Sequence, residues 1–177
     1  MQAADHRVFR VLFLCTGNSG RSQMAETILN RKARGRFEAH SAGSRPVAQV
    51  NRFAIQVLGE SGIEWDGHQP RGLDGLDREH WDFVITVCDK AREVCPVFPG
   101  QPILSHWGMP DPAAVEGDDE EKRRAFREAL TLISRRIDLL LVLPVDKLDR
   151  LVVEAKMQAI GEVGLAVGRA EAGGVCP

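Results

Sequence analysis

Two stretches of the chain are strongly apolar, RVFRVLFL at 7–14 and DFVITVC at 82–88. Short runs rich in Val, Ile, Leu and Phe are the pattern of strands buried on both faces. FEAHSAG (37–43), which ends at a glycine, and QPILSHW (101–107) read as two shorter strands. Between these runs the periodicity changes. Residues 21–34 place Met24, Ile28 and Leu29 on one helical face. NRFAIQVLGESGI (51–63) predicts a helix with Asn51 as N-cap and Gly59 and Gly62 near its end. DKAREVC (89–95) reads as a short helix stopped by Pro96. EEKRRAFREALTLISRRIDLLLVL (120–143) reads as a long amphipathic helix that Pro144 ends or kinks. Residues 64–80 form a Gly-rich connection with a short turn of helix, and MPDPAAVEGDD (109–119) a loop. Strands that alternate with helices argue for an α/β fold, a parallel sheet covered on both faces.

Beyond Pro144, Leu148, Leu151, Val152, Ala155 and Ile160 recur near helical spacing. This predicts a helix over 145–160 whose Leu148, Leu151, Val152 and Ala155 face packs on the domain or on a second subunit. The last stretch, GLAVGRAEAGGVCP, is Gly-rich and is expected to be flexible. The chain therefore divides into a domain, 1–143, and a C-terminal extension, 144–177, helical and then flexible. No internal repeat or low-complexity segment interrupts either part.

A length of 177 residues suits one domain with a sizeable core, and 44% apolar with 27% charged residues is ordinary for a soluble globular protein. With 23 Lys and Arg against 25 Asp and Glu there is no polybasic character, which argues against nucleic acid or a membrane surface as partner. No apolar run is long enough to span a bilayer, and MQAADHRVFR lacks the apolar stretch of a signal peptide. A cytoplasmic location is the expectation. Four cysteines, Cys15, Cys88, Cys95 and Cys176, are few for a disulfide-stapled scaffold. In a reducing compartment such residues are catalytic, metal-binding or inert. There is no C-x2-C pair, and neither His40 nor His106 has a cysteine or second histidine at ligand spacing, so no metal is expected.

The candidate chemistry lies in CTGNSGRS, Cys15 to Ser22, between the first strand and the first helix. Ligands of α/β sheets bind beyond the carboxyl ends of the strands, where Cys15 falls. Thr16, Gly17, Asn18, Ser19 and Gly20 can curl their backbone N–H groups into an anion-binding nest at a helix N-terminus. Gly17 and Gly20 allow close backbone approach, and Asn18 tolerates a left-handed conformation. Arg21 offers a planar fork for two oxygens of a tetrahedral oxyanion. The same positive field is expected to lower the thiol pKa of Cys15, with Ser22 donating a hydrogen bond to the sulfur. A nucleotide P-loop is excluded, because its Gly-Lys-Ser/Thr ending is replaced by Gly-Arg-Ser. The plainer alternative is a buried, inert strand cysteine before a Gly-rich turn; the complete strand, loop and helix junction favours the anion loop.

VLFLCTGNSGRSQMAE (11–26) resembles the phosphate-binding loop of the low-molecular-weight protein tyrosine phosphatase superfamily. Within it the chain most resembles the thioredoxin-coupled arsenate reductases, over residues 8 to about 142. HSAG (40–43), GSRPVAQVN (43–51), VITVCDKAREVCP (84–96) and HWGMPDPAAVEGDDEEKRRAF (106–126) extend the likeness. Phosphatases of the superfamily usually carry proline where Gln23 stands and aromatic residues, often tyrosine, around the pocket; this chain has no tyrosine. The resemblance implies a four-stranded parallel sheet with flanking helices. It further implies reduction of arsenate, with Cys15 as nucleophile, Arg21 and the loop holding arsenate or a phosphate-like oxyanion, and Asp111 as general acid. Cys88 would then attack Cys15 as arsenite leaves, and Cys95 would resolve the disulfide for thioredoxin to reduce, with no cofactor beyond thioredoxin's electrons.

Plainer readings stand beside these: two buried apolar cysteines at 88 and 95, and an ordinary Asp-Pro turn at Asp111, which Pro112 holds extended. Two rival functions use the same residues. One is a tyrosine phosphatase working through a phosphocysteine; the other is a non-enzymatic redox or oxyanion sensor working through Cys88 and Cys95. If 89–95 is helical, Cys88 and Cys95 lie about 10.5 Å apart along the axis. A disulfide needs Cα atoms within about 7 Å, so the segment would have to unwind for the two to join.

Two departures from the resemblance matter. Gly20 stands where many relatives carry a second loop cysteine. Asn18, Glu26 and Ser41 match positions that hold potassium in some reductases, yet Arg71-Gly72 stands where an acidic partner is expected. No such site is therefore expected here, with Asn18 a loop-former and Glu26 a helix-surface carboxylate.

Overall fold

The computed structural model describes residues 7–164, so Cys176 and the Gly-rich tail from 165 lie outside the described residues. Four strands form one parallel sheet: β1 (Phe9–Cys15), β2 (Phe37–Gly43), β3 (Phe83–Thr86) and β4 (Ile103–His106), in the order β2-β1-β3-β4. The connections are α1 (Arg21–Lys32), α2 (Arg52–Glu60) and α3 (Asp89–Glu93), with α4 (Asp119–Val142) and α5 (Arg150–Glu162) after the last strand. The α/β class, the parallel sheet and a helix in the extension all agree with the sequence reading.

β1 is central and pairs with β2 on one side and β3 on the other. The chain leaves β1 toward β2, then crosses back to add β3. Connections that depart in opposite directions open a crevice at the carboxyl ends of the strands, and this is where such sheets bind ligands. Cys15, the last residue of β1, stands at that crevice. Burial of six of the seven β1 residues explains its near-continuous apolar sequence.

α1 is buried along its whole middle, from Ser22 to Leu29, because it lies on the sheet and is covered in turn by α4 and α2. α4 starts at a capping box: the Asp118 carboxylate accepts from the Glu121 N–H while the Glu121 carboxylate accepts from the Asp118 N–H. It buries Phe126, Ala129, Leu130, Ile133, Ile137 and Leu140, one stripe at helical spacing.

The helix of the extension differs from expectation. It begins at Arg150 rather than 145, and its buried face is Val153, Met157, Ile160 and Gly161. Leu151 is 77% exposed and Val152 41%, and Ala155 is exposed as well. Gly161 supplies the physical reason: a Cβ there would stand 2.2 Å from the His106 carbonyl, so the helix approaches β4 through its glycine. α5 also hydrogen-bonds the edge of the sheet, with Ser105 Oγ donating to the Met157 carbonyl (2.9 Å) and Gln158 Nε2 to the Leu104 carbonyl (3.2 Å).

Candidate active site

The loop after β1 is fixed from behind. Asn18 adopts φ 50°, the left-handed conformation anticipated for it. Its side chain is buried, donating from Nδ2 to Ser22 Oγ (3.0 Å) and Ser41 Oγ (2.8 Å). Its Oδ1 accepts from the Arg71 N–H (2.9 Å) and from Gln23 Nε2 (3.3 Å). The carbonyls of Cys15, Thr16, Gly17 and Ser19 accept from the N–H groups of Ser44, Arg45, Val47 and Asn51. The 44–51 segment thereby holds the outer side of the loop like a splint. Gly43 is where the two meet: a Cβ there would lie 2.5 Å from Thr16 O and 2.9 Å from Asn18 N. In the sequence Gly43 reads only as a strand end, although the GSRPVAQVN stretch that contains it was already visible as part of the likeness.

A cavity of about 630 Å3 opens in front of the loop, bordered by Cys15, Gly17, Arg21, Cys88, Lys90 and Asp111 among others. Thr16, Ser19 and Gly20 also border it, whereas Asn18 and Ser22 are buried behind the sulfur. Arg21 opens α1 and reaches across, donating from Nη1 to the Met109 carbonyl (2.9 Å) and standing 3.3 Å from Asp111 Oδ2. Asp111 is extended, as Pro112 requires, and its Oδ1 caps the 3-10 turn Pro112–Ala114 by accepting from the Ala113 N–H (3.1 Å). Phe126 of α4 closes one wall, and its ring would lie 3.3 Å from any Cβ at position 20.

Cys88 shares this cavity with Cys15. It is the N-cap of α3, its sulfur accepting from the Ala91 N–H (3.4 Å) and lying 3.4 Å from Thr16 Oγ1. Cys95 does not share it. α3 ends at Glu93, two residues earlier than the sequence suggests, and Cys95 borders a separate cleft of about 190 Å3 with Thr86, Arg92, Leu104, His106 and Gln158. Cys15, Cys88 and Cys95 are all unbonded thiols.

The electrostatics of Cys15 reverse an expectation. Burial pushes its thiol up from the ordinary value, against Ser22 Oγ at 2.8 Å, the Asn18 N–H at 3.1 Å and the Arg21 charge, which all favour the thiolate. Desolvation wins because Cys15 sits at the floor of the cavity, enclosed by the core. Burial likewise raises the thiol of the half-buried Cys95.

Glu26 was expected on the helix surface and is instead buried, because α1 is covered on both sides. Burial raises its carboxyl, while the Ser41 hydroxyl that donates to it and the nearby His68, Arg71 and His40 pull it down. Glu26, Ser41, Asn18 and Ser22 make a buried polar row that ends at the sulfur of Cys15. Arg71 joins the row, donating from Nε to the Ser41 carbonyl (2.9 Å). Among the described residues no group of three or more His, Cys, Asp or Glu is placed to hold a metal ion.

Residues 10–154 match the family model described as low molecular weight phosphotyrosine protein phosphatase. The chain belongs to that family. Arsenate reductases of Halalkalibacterium halodurans and Bacillus subtilis (strain 168) are 39% and 34% identical to it over 127 residues, covering 72% of this chain and 91% of each relative. Among solved structures, arsenate reductase from Archaeoglobus fulgidus superposes with a TM-score of 0.56 at 29% identity, covering 72% of this chain and 98% of that one. A thioredoxin-dependent arsenate reductase of Corynebacterium glutamicum gives 0.54 at 29%, covering 78% of this chain and 65% of that one. A low molecular weight protein tyrosine phosphatase from T. tengcongensis gives 0.63 at 27%, covering 79% and 99%. Proteins named for both chemistries are thus similar to this chain, and the family match ends at Glu154, inside α5.

Proposed function

We propose that this chain reduces arsenate to arsenite through three cysteines and is regenerated by a thioredoxin-like dithiol in the cytoplasm. The observation that carries the reading is the pair of thiols in one cavity: Cys15 and Cys88 border it together with Arg21 and Asp111. A phosphatase has use for Cys15, Arg21 and Asp111, and none for a second thiol.

In this reading the Cys15 thiolate attacks arsenic while Arg21 and the Thr16–Ser22 loop hold the oxyanion. Asp111 protonates the departing oxygen, which leaves as water and gives a Cys15 adduct of arsenic(V). Cys88 then attacks the sulfur of Cys15. The electron pair of the sulfur–arsenic bond passes to arsenic, arsenite leaves, and a Cys15–Cys88 disulfide remains. Cys95 attacks Cys88, freeing the Cys15 thiolate and forming Cys88–Cys95, which the external dithiol reduces. α3 lies in the chain between the two partners of that last bond, whose thiols border separate cavities, so residues 88–95 are expected to rearrange for them to meet.

The test is NADPH consumption in the presence of thioredoxin, thioredoxin reductase and arsenate. Turnover is expected for the wild type, a single turnover with a trapped Cys15–Cys88 disulfide for Cys95→Ser, and a stalled Cys15 adduct for Cys88→Ser. Aryl phosphate hydrolysis without arsenate turnover would assign the phosphatase chemistry instead. Multiple arsenate turnovers by either variant would overturn the relay.

A further inference from the structure

Arg136 sits midway along α4 and is 0% exposed. Every hydrogen bond it donates goes to a main-chain carbonyl: Trp107 O at 2.7 Å, Gly108 O at 3.2 Å from both Nη atoms, Gly161 O at 2.7 Å, and Val163 O at 3.0 Å from Nη2 and 3.3 Å from Nε. A buried guanidinium is costly to desolvate, and such a group persists where its donors are satisfied. Burial lowers its pKa to about 10, which leaves it charged at neutral pH.

The acceptors fall into two sets. Gly161 and Val163 lie at the C-terminal end of α5, the negative end of the helix dipole. Trp107 and Gly108 begin the segment that leads from β4 to Asp111. The far end of that segment is held by Arg21, through the Met109 carbonyl and the Asp111 carboxylate. Residues 107–111 are therefore slung between two arginines, one in the cavity and one in the core.

We infer that Arg136 is a positioning residue for Asp111, fixing the 107–111 segment through the Trp107 and Gly108 carbonyls while α5 completes its shell of acceptors. The inference rests on the reading of Asp111 as general acid. It gives the second half of α5, which lies beyond the family match, a part in catalysis without contact to substrate.

The experiment is a double-mutant comparison on the single-turnover rate of arsenite formation with stoichiometric arsenate. Misplacing a reacting group by about an ångström lowers rates by up to about a hundredfold. Arg136→Met should therefore slow the step about tenfold or more in the wild-type background and less than twofold in an Asp111→Asn background. The rate of Cys15 alkylation by iodoacetamide should stay at the wild-type value, since the nucleophile's loop is held by other bonds. Arg136→Lys and Gly161→Ala, each of which loosens the same junction while keeping a cation in place, should show the same masking and serve if Arg136→Met does not fold. An Asp111→Asn protein as fast as wild type would remove the general-acid reading itself. With Asp111→Asn impaired, an unaffected Arg136→Met or a full-sized loss in both backgrounds would overturn the positioning role.

Discussion

At Cys15 the opposing influences can be pulled apart one residue at a time. Burial raises the thiol, and Ser22 Oγ works against it from 2.8 Å. Removing that hydroxyl leaves desolvation less opposed. Ser22→Ala should move the acid limb of Cys15 alkylation, and of kcat/KM for arsenate, to higher pH; a limb that stays or moves lower would contradict the assignment. Glu26 makes a second residue-scale test. Its folded carboxyl is raised above 4.5, so its protonated form stabilises the fold below that pH, and this contribution is lost as pH rises through the folded value. Charged Glu26 is thus a burden near neutrality. Glu26→Gln should match or exceed the wild-type Tm at pH 7.5, with the gap closing toward pH 4. A lower Tm at pH 7.5 would mean that pairing with His68 and Arg71 outweighs burial.

At the scale of elements, what was legible in the sequence was what neighbouring residues decide together. The four strands, the Asn51 cap and the Cys15–Ser22 junction are local patterns, and each stands where its pattern placed it. What was missed depends on elements far apart in the chain. Glu26 looks like an exposed helix carboxylate until α1 is covered on both sides, and the lowered thiol inferred from the loop's charges ignored the core closing over Cys15. The α5 sequence carries two apolar rows, and only the close approach of Gly161 to His106 selects the row that faces inward. Gly43 belongs to the same class. Gly43→Ala would drive a methyl group into Thr16 O and Asn18 N. It should destabilise the protein by about 1–3 kcal/mol, typical of overpacking, and lower kcat/KM for arsenate in the protein that still folds. Denaturant unfolding and initial rates on one preparation would check both; an unchanged variant would show that the 44–51 splint has slack.

For the whole molecule, the extension as far as residue 164 completes the core. Val153, Met157 and Ile160 are buried in it, and α5 covers the β4 edge, which would otherwise present unpaired backbone groups to a second chain. Truncation after Leu143 removes that cover and the Gly161 and Val163 acceptors of Arg136. The truncated chain should unfold at lower temperature, aggregate more readily and form arsenite more slowly in a single turnover. Calorimetry, light scattering and rapid quench would follow the three; a truncation with wild-type Tm and rate would make α5 dispensable.

Cys95 opens on a different cleft from Cys15 and Cys88, with the five-residue α3 between them. In the proposed cycle this gives the molecule two doors: a small anion enters at one and a bulky protein reductant calls at the other.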